Sequence, residues 1–416
     1  MGISRRKLLQ GAAAAAGVSA AGAPGLLLAQ NQPIRVGMAF SLTGAYALSS
    51  EPTMKGAQLA IARYNRNGGL LGRQIEGVLR DDKFSGAGAV AVTRELAGMG
   101  INLFLGGASS VAALAVLPLL KELKAVLSIA GSAAMGVTHE SFSRNAFRVL
   151  ANAHMQYGGL GRAVAQAYPN VMKWQAIAPD SSFGRDTAKS WAANVRLAHP
   201  HANSKDFEIK ETMLVGASQN DFRQQVNTLM NSGVEGVFCA AVGSPTVSFF
   251  QQARAVGLEK KVKVFCETLG DATAKAMGKD TFPFWGPTFW PYQFEPTKSN
   301  KLSQEYYKDW VAAYKDTSPP TVGILGYRAA TALFEGIKKA KSTETEAVIA
   351  AMEDLKFDTP TGPFRLRKQD HQSIGTVFFA QYVPSAKEPF FEMKTVKAID
   401  EETVVEPPSP GAEYLI

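Results

Sequence analysis

Ile34-Arg35-Val36-Gly37-Met38-Ala39-Phe40, closed by Ser41-Leu42-Thr43-Gly44, is a short apolar run ending in a turn. Its length and its boundary read as a β-strand. Over residues 54–67, Ala57, Ala60, Ile61 and Tyr64 recur at helical spacing, and Gly68-Gly69 stops that helix. The unit then repeats. Strands are expected at 75–79, 103–105, 125–129, 174–178, 207–213, 234–241 and 262–265. Helices are expected at 87–96, 111–123, 156–167, 187–197, 222–230 and 247–256. Strands alternating with helices of ten to fifteen residues make right-handed βαβ units and a mostly parallel sheet.

So many units exceed one sheet of ordinary width, and 416 residues suit two domains. The first series stalls near 147–152, where a strand has no helix of its own, and the chain there is expected to cross to a second lobe. After Cys266 the rhythm changes. Residues 282–294 are rich in aromatics and proline and read as an extended crossing, followed by helices at 302–314, 322–339 and 344–355. Residues 364–367 and 376–383 are expected to pair as antiparallel strands. The division is therefore 30–151 with about 290–357 in lobe one, 152–289 with about 358–406 in lobe two, and a loose tail at 407–416. Repeated passage between lobes makes a hinge, which suits a clamshell.

Residues 1–29 read as a twin-arginine export signal. Arg5-Arg6-Lys7 precedes a mildly apolar run rich in Ala and Gly that is too weak for a membrane span, with cleavage expected after Ala29 and no lipid anchor. Losing Arg5, Arg6 and Lys7 lowers the net charge from +8 to +5, and the remaining positive charge is scattered. Nucleic acid is not an expected partner. The mature protein is expected to be soluble in the periplasm.

Motifs for chemistry are few. Gly86-Ala87-Gly88-Ala89-Val90-Ala91 matches a relaxed dinucleotide pattern, which leaves an NAD-dependent oxidoreductase as a distant alternative. Asp81 and Asp82 precede it and no acid follows at the expected distance, so a Ser-capped helix packing on a sheet is the plainer reading. His199-Pro200-His201 lacks acidic or thiol partners for a metal. Cys239 and Cys266 end neighbouring strands and read as two buried thiols rather than a bridge. No cofactor and no metal are expected.

Two turns are built to hold an anion. Gly106-Gly107-Ala108-Ser109-Ser110 and Ala130-Gly131-Ser132-Ala133 each follow a strand of the first lobe, at the edge where open α/β sheets bind ligands. Small residues let backbone N–H groups approach a carboxylate, and Ser109 or Ser110 adds a hydroxyl. From the second lobe, Phe183 in Asp180-Ser181-Ser182-Phe183-Gly184, Gly243 and Glu267 follow strands and face the same gap. Glu267 is the candidate partner for a ligand ammonium.

These residues resemble the periplasmic binding proteins of the branched-chain amino-acid (leucine/isoleucine/valine) type, over about residues 33–383. The likeness lies in the order of Gly56-Ala57, Gly68-Gly69, Asp81-Asp82, Ser109-Ser110-Val111, Gly131-Ser132-Ala133, Asp180-x-x-Phe183-Gly184 and Gln252-Ala253-Arg254-x-Val256-Gly257-Leu258. The resemblance implies a type I periplasmic binding fold: two Rossmann-like lobes, three crossing segments, and delivery of a solute to an ABC permease of the inner membrane. It also implies that the small-residue turns hold a carboxylate, that Phe183 packs on the ligand and that Glu267 takes its amine.

The chain departs from leucine-specific members, which carry threonine at the position of Ala133 and an aromatic near 242–243. Tyr46, Trp290 and Tyr327 are therefore expected to complete the wall, as suits an aromatic or larger organic acid. An amino acid is held slightly ahead, because Glu267 would otherwise face the ligand as an unpaired charge. An extracytoplasmic sensor of the same fold is the rival reading.

Overall fold

The protein is described here by a computed structural model covering residues 32–415; the expected export signal lies outside the described residues. Strand β1 (Ile34–Phe40) falls where its sequence places it, and its burial is nearly complete because helices cover both faces. It is flanked by β2 (Ile75–Asp81) and β3 (Leu103–Gly106), followed by β4 (Val126–Ile129) and β5 (Ala146–Arg148), all parallel, in the order β2-β1-β3-β4-β5. Such a sheet reverses its winding beside β1, which leaves a crevice at the carboxyl ends of β1 and β3. The helix after β1 runs Ala47–Arg66 and includes Pro52, starting earlier than the sequence pattern implies.

The second sheet runs β6 (Lys173–Pro179), β9 (Gly236–Cys239), β10 (Val264–Cys266) and β11 (Phe284–Pro287) in parallel. On its far side β6 pairs with two short pieces, β7 (Glu208–Ile209) and β8 (Met213–Val215), where the sequence reads as one strand. Its core includes Trp174 and Trp191, both fully buried, with Trp191 stacked on Phe238 at 5.1 Å. Burying side chains of this size stabilises the lobe by roughly 2–3 kcal/mol each.

The chain returns to lobe one through helices Lys301–Tyr314 and Ile324–Ala340. The Tyr64 hydroxyl donates to Glu335 at 2.6 Å and Arg63 pairs with Glu305 at 3.1 Å, which fastens them to the first helix.

Three features correct the sequence reading. Residues 364–367 do not pair with 376–383. They belong to β13 (Gly362–Leu366), which sits between β12 (Lys356–Thr359) and β14 (Ser373–Ile374) in a separate small sheet. That sheet is tied to β5 of lobe one, with the Arg148 N–H donating to His371 O at 3.0 Å. Strand β15 (Thr376–Pro384) instead joins β11 and the last strand, β16 (Phe391–Asp400), which the sequence reading omitted.

The tail is not loose. Gly411 N–H donates to His139 O at 2.7 Å, Tyr414 Oη lies 2.6 Å from His154 Nδ1, and Asn152 donates to Glu406 at 2.5 Å. Gly411 and Tyr414 thus reach residues on either side of the first crossing. Cys239 and Cys266 are both free and buried, and burial pushes the Cys239 thiol up to about 12.

Candidate functional site

The gap between the lobes holds about 420 Å³ of empty space, partly open to solvent. Tyr46, Phe84, Ser109, Ser110 and Val111 line it from lobe one; Pro179, Ser181, Phe183, Ala217 and Val242 line it from lobe two. Nearly every one of these residues lies just past the carboxyl end of a strand: β1, β2, β3, β6, β8 or β9. Tyr46 and Phe84 stack at 5.1 Å with planes 10° apart, and burial pushes the Tyr46 phenol up to about 12.

The serine turn is held from below. Ser109 Oγ accepts from Ala112 N–H at 3.2 Å and caps the short helix Ser110–Val116. Ser110 Oγ accepts from the Ser132 hydroxyl at 3.1 Å and from Ala134 N–H at 3.2 Å. Each of these two serines thus has its oxygen anchored while its own hydrogen meets no acceptor among the described residues.

Ala130 N–H is spent on Gly106 O, at 2.9 Å, whereas the N–H groups of Ser132 and Ala133 donate to no group among the described residues. Both residues are buried, at 0% and 1% exposure. A buried N–H without an acceptor is rare in a folded protein; these two adjoin Ser110 without themselves lining the gap, and with the two serine hydroxyls they are a candidate donor cradle for an anion.

Lobe two closes over that cradle. Ser181 caps helix Ser182–Ala198, accepting from Gly184 N–H at 3.2 Å, and so aims Phe183, whose ring meets Tyr157 edge-on at 6.0 Å. Ser244 N–H donates to Ala45 O across the gap at 3.1 Å, and Met135 N–H donates to Asp186 at 2.8 Å. Gly243 has φ +78°, and a Cβ there would stand 1.9 Å from Ala45 O. Only glycine suits both that backbone conformation and that approach of the lobes.

Two expected wall residues lie elsewhere. Trp290 is fully buried inside lobe one, donating from Nε1 to Ser303 at 2.8 Å and packing on Tyr306. Tyr327 is buried on the same side, its ring 4.8 Å from Tyr306. Both are core residues, because the helices that follow the crossing need aromatic filling.

Glu267 is also fully buried, and its carboxylate turns back on its own loop. Oε2 accepts from Leu269 N–H at 2.9 Å and from the Thr273 hydroxyl at 2.7 Å, and Oε1 accepts from Gly270 N–H. Burial raises its pKa to about 7 despite those bonds. It does not line the gap, so the expected direct ammonium contact is absent from this arrangement.

Phe84, Val111, Pro179, Ser181, Ala217 and Val242 were missed as wall residues, and so was Tyr157 behind Phe183. The signal available for most of them was their position after strand ends. Phe84 carries a further mark: its backbone is left-handed, with φ +53°, which turns its ring onto Tyr46. At the glycine-rich pattern, Ser85 caps the helix by accepting from Gly88 N–H at 3.0 Å, as the plainer reading expected. No cluster of metal-binding side chains occurs among the described residues.

Two α/β lobes that meet over a donor-rich, aromatic-walled gap define a solute-binding protein of the clamshell class. The chain belongs to the periplasmic binding protein family, whose model matches residues 33–388. It is 27% identical over 334 residues to the leucine-, isoleucine-, valine-, threonine- and alanine-binding protein of Pseudomonas aeruginosa, covering 79% of this chain and 84% of that one.

Its fold matches the closed form of the corresponding protein from Brucella ovis, with TM-score 0.78 and 18% identity over 92% of this chain and 99% of that one. It also matches a solute-binding protein of an ABC transporter from Rhodopseudomonas palustris, in complex with 3,4-dihydroxybenzoic acid. There the TM-score is 0.76 with 19% identity, over 90% of this chain and 99% of the other. These relatives are solute-binding proteins. Among the described residues no helix is long and apolar enough to cross a membrane.

Proposed function

We propose that this protein is the periplasmic solute-binding component of an ABC uptake transporter and takes a small carboxylate-bearing metabolite, an amino acid or an aromatic acid, between its lobes. The observation that carries this is the pair of buried, acceptor-less N–H groups of Ser132 and Ala133 beside the anchored hydroxyls of Ser109 and Ser110. The ligand carboxylate docks on this cradle. Lobe two then closes, bringing Phe183 and Gly243 against it, and the joined surface of the two lobes becomes what an inner-membrane permease recognises. No bond is made or broken, and the closing free energy comes from contacts that only the closed form offers.

The twin-arginine leader delivers the chain to that compartment. Membership of the periplasmic binding protein family and the ABC-transporter role of a structural neighbour support the reading. The test is mass spectrometry of small molecules released when the purified protein unfolds, with small-angle scattering before and after the released compound is added back. A carboxylate that compacts the protein is expected. A verified ligand that leaves the scattering curve of the emptied protein unchanged would refute the clamshell.

A further inference from the structure

We infer that the cleft selects carboxylates that carry an aromatic body and no ammonium group, so that deamino aromatic acids are its ligands and zwitterionic amino acids are discriminated against. This rests on the carboxylate-binding reading of the same cleft and narrows it.

A ligand ammonium needs an acidic partner. Glu267 has both oxygens engaged by its own loop. Gly286 presses on it from the next strand, close enough that a Cβ there would fall 2.3 Å from Oε1. Asp82 is buried, and its Oδ1 accepts from Ser41 at 2.5 Å and from Phe84 N–H at 2.9 Å; its Oδ2 has no partner among the described residues, but the residue lines a cavity inside lobe one rather than the gap. Asp186 holds Met135 N–H across the lobes, and Asp180 pairs with Arg185 at the surface. Among the described residues no charged side chain lines the gap. A ligand ammonium would therefore lose its water and gain no anion, which is among the least favourable exchanges a closed site can impose.

What the gap does offer is donors at one end and rings along its sides. The hydroxyls of Ser109, Ser110 and Ser181 line it, and the acceptor-less N–H groups of Ser132 and Ala133 lie next to Ser110 rather than on the lining itself, a donor set that suits one carboxylate. Tyr46 stacked on Phe84 faces from one lobe and Phe183 from the other, with Val111, Pro179 and Val242 filling between. Flat aromatic walls on both lobes gain most from a planar ligand, through offset or edge-on ring contacts.

Matched pairs isolate the ammonium. Titration calorimetry on the refolded, ligand-free protein would compare 3-phenylpropanoate with phenylalanine, and 4-methylpentanoate with leucine, with benzoate as a compact aromatic acid. Each deamino acid is expected to bind about a hundredfold tighter than its amino acid, equivalent to about 2.8 kcal/mol. Benzoate or 3-phenylpropanoate is expected to exceed 4-methylpentanoate.

Tighter binding of phenylalanine or leucine, lost in Glu267→Gln, would overturn the inference, as would preference for the aliphatic acid. If Glu267→Gln does not fold, the wild-type pairs still decide. Failure of the underlying reading looks different: none of the five probes binds, and the compound released on unfolding carries no carboxylate. A released aromatic acid without an amine supports the inference even if all five probes are weak, whereas a released amino acid refutes it.

Discussion

Replacing Ser110 with alanine separates two jobs that its hydroxyl performs. Its oxygen accepts from Ala134 N–H and from Ser132, while its hydrogen has no acceptor among the described residues and is free to meet the proposed ligand. Alanine leaves the fully buried Ala134 N–H without an acceptor, which costs about 1–3 kcal/mol of stability with no ligand present. The Ser132 hydroxyl can rotate and contributes less.

The lost bond to a charged carboxylate is worth a further ~1.5–3 kcal/mol. Affinity should therefore fall by roughly ten- to a hundredfold. Urea unfolding of the ligand-free protein reads the first effect, and calorimetry with the compound that co-purifies reads the second. Ser132→Ala serves as the control, since it removes a supporting bond and leaves Ser110 able to reach the ligand; a few-fold loss is expected. A dissociation constant within twofold of wild type for Ser110→Ala, with stability reduced, would show that the serine turn is structural and that the ligand docks elsewhere.

Gly243→Ala should hold the lobes apart, because the added methyl meets Ala45 O; scattering should report an expanded molecule, with binding weakened at least about tenfold. Glu267 has its pKa raised from 4.5 to about 7, so its contribution to stability is present at low pH and is lost as pH rises through that interval. The unfolding free energy of wild type minus that of Glu267→Gln should fall by about 2–3 kcal/mol between pH 5 and 8, and a flat difference would contradict the burial argument. Ending the chain after Glu406 removes the Gly411–His139 and Tyr414–His154 contacts and should lower stability by about 1–3 kcal/mol, read by urea unfolding. An unchanged midpoint would mean that the tail contributes nothing to the hinge.

Much of the molecule could be read locally. Strand β1 was bounded correctly because its apolar run and the turn after it are properties of adjacent residues. The serine turn and Gly243 were visible as small residues after strands, a position that the parallel sheet itself makes a ligand edge. Phe84 was overlooked because nothing next to it in sequence announces a left-handed backbone, and Ser181 because its capping role depends on where the following helix begins.

The sequence by itself determined the alternation of strands and helices, the two lobes and the small polar turns, since periodicity and turn chemistry act within a few residues. Only the tertiary structure decided where the long side chains point. Trp290 went to the core because Ser303 and Tyr306 lie beneath it, and the tail was fastened because His139 and His154 meet it. Glu267 turned inward because burial at the end of β10 leaves its carboxylate only the N–H groups and hydroxyl of its own loop to answer it. A charged side chain is steered by whichever partners the folded neighbours place within reach, and that choice is not made until distant segments have met.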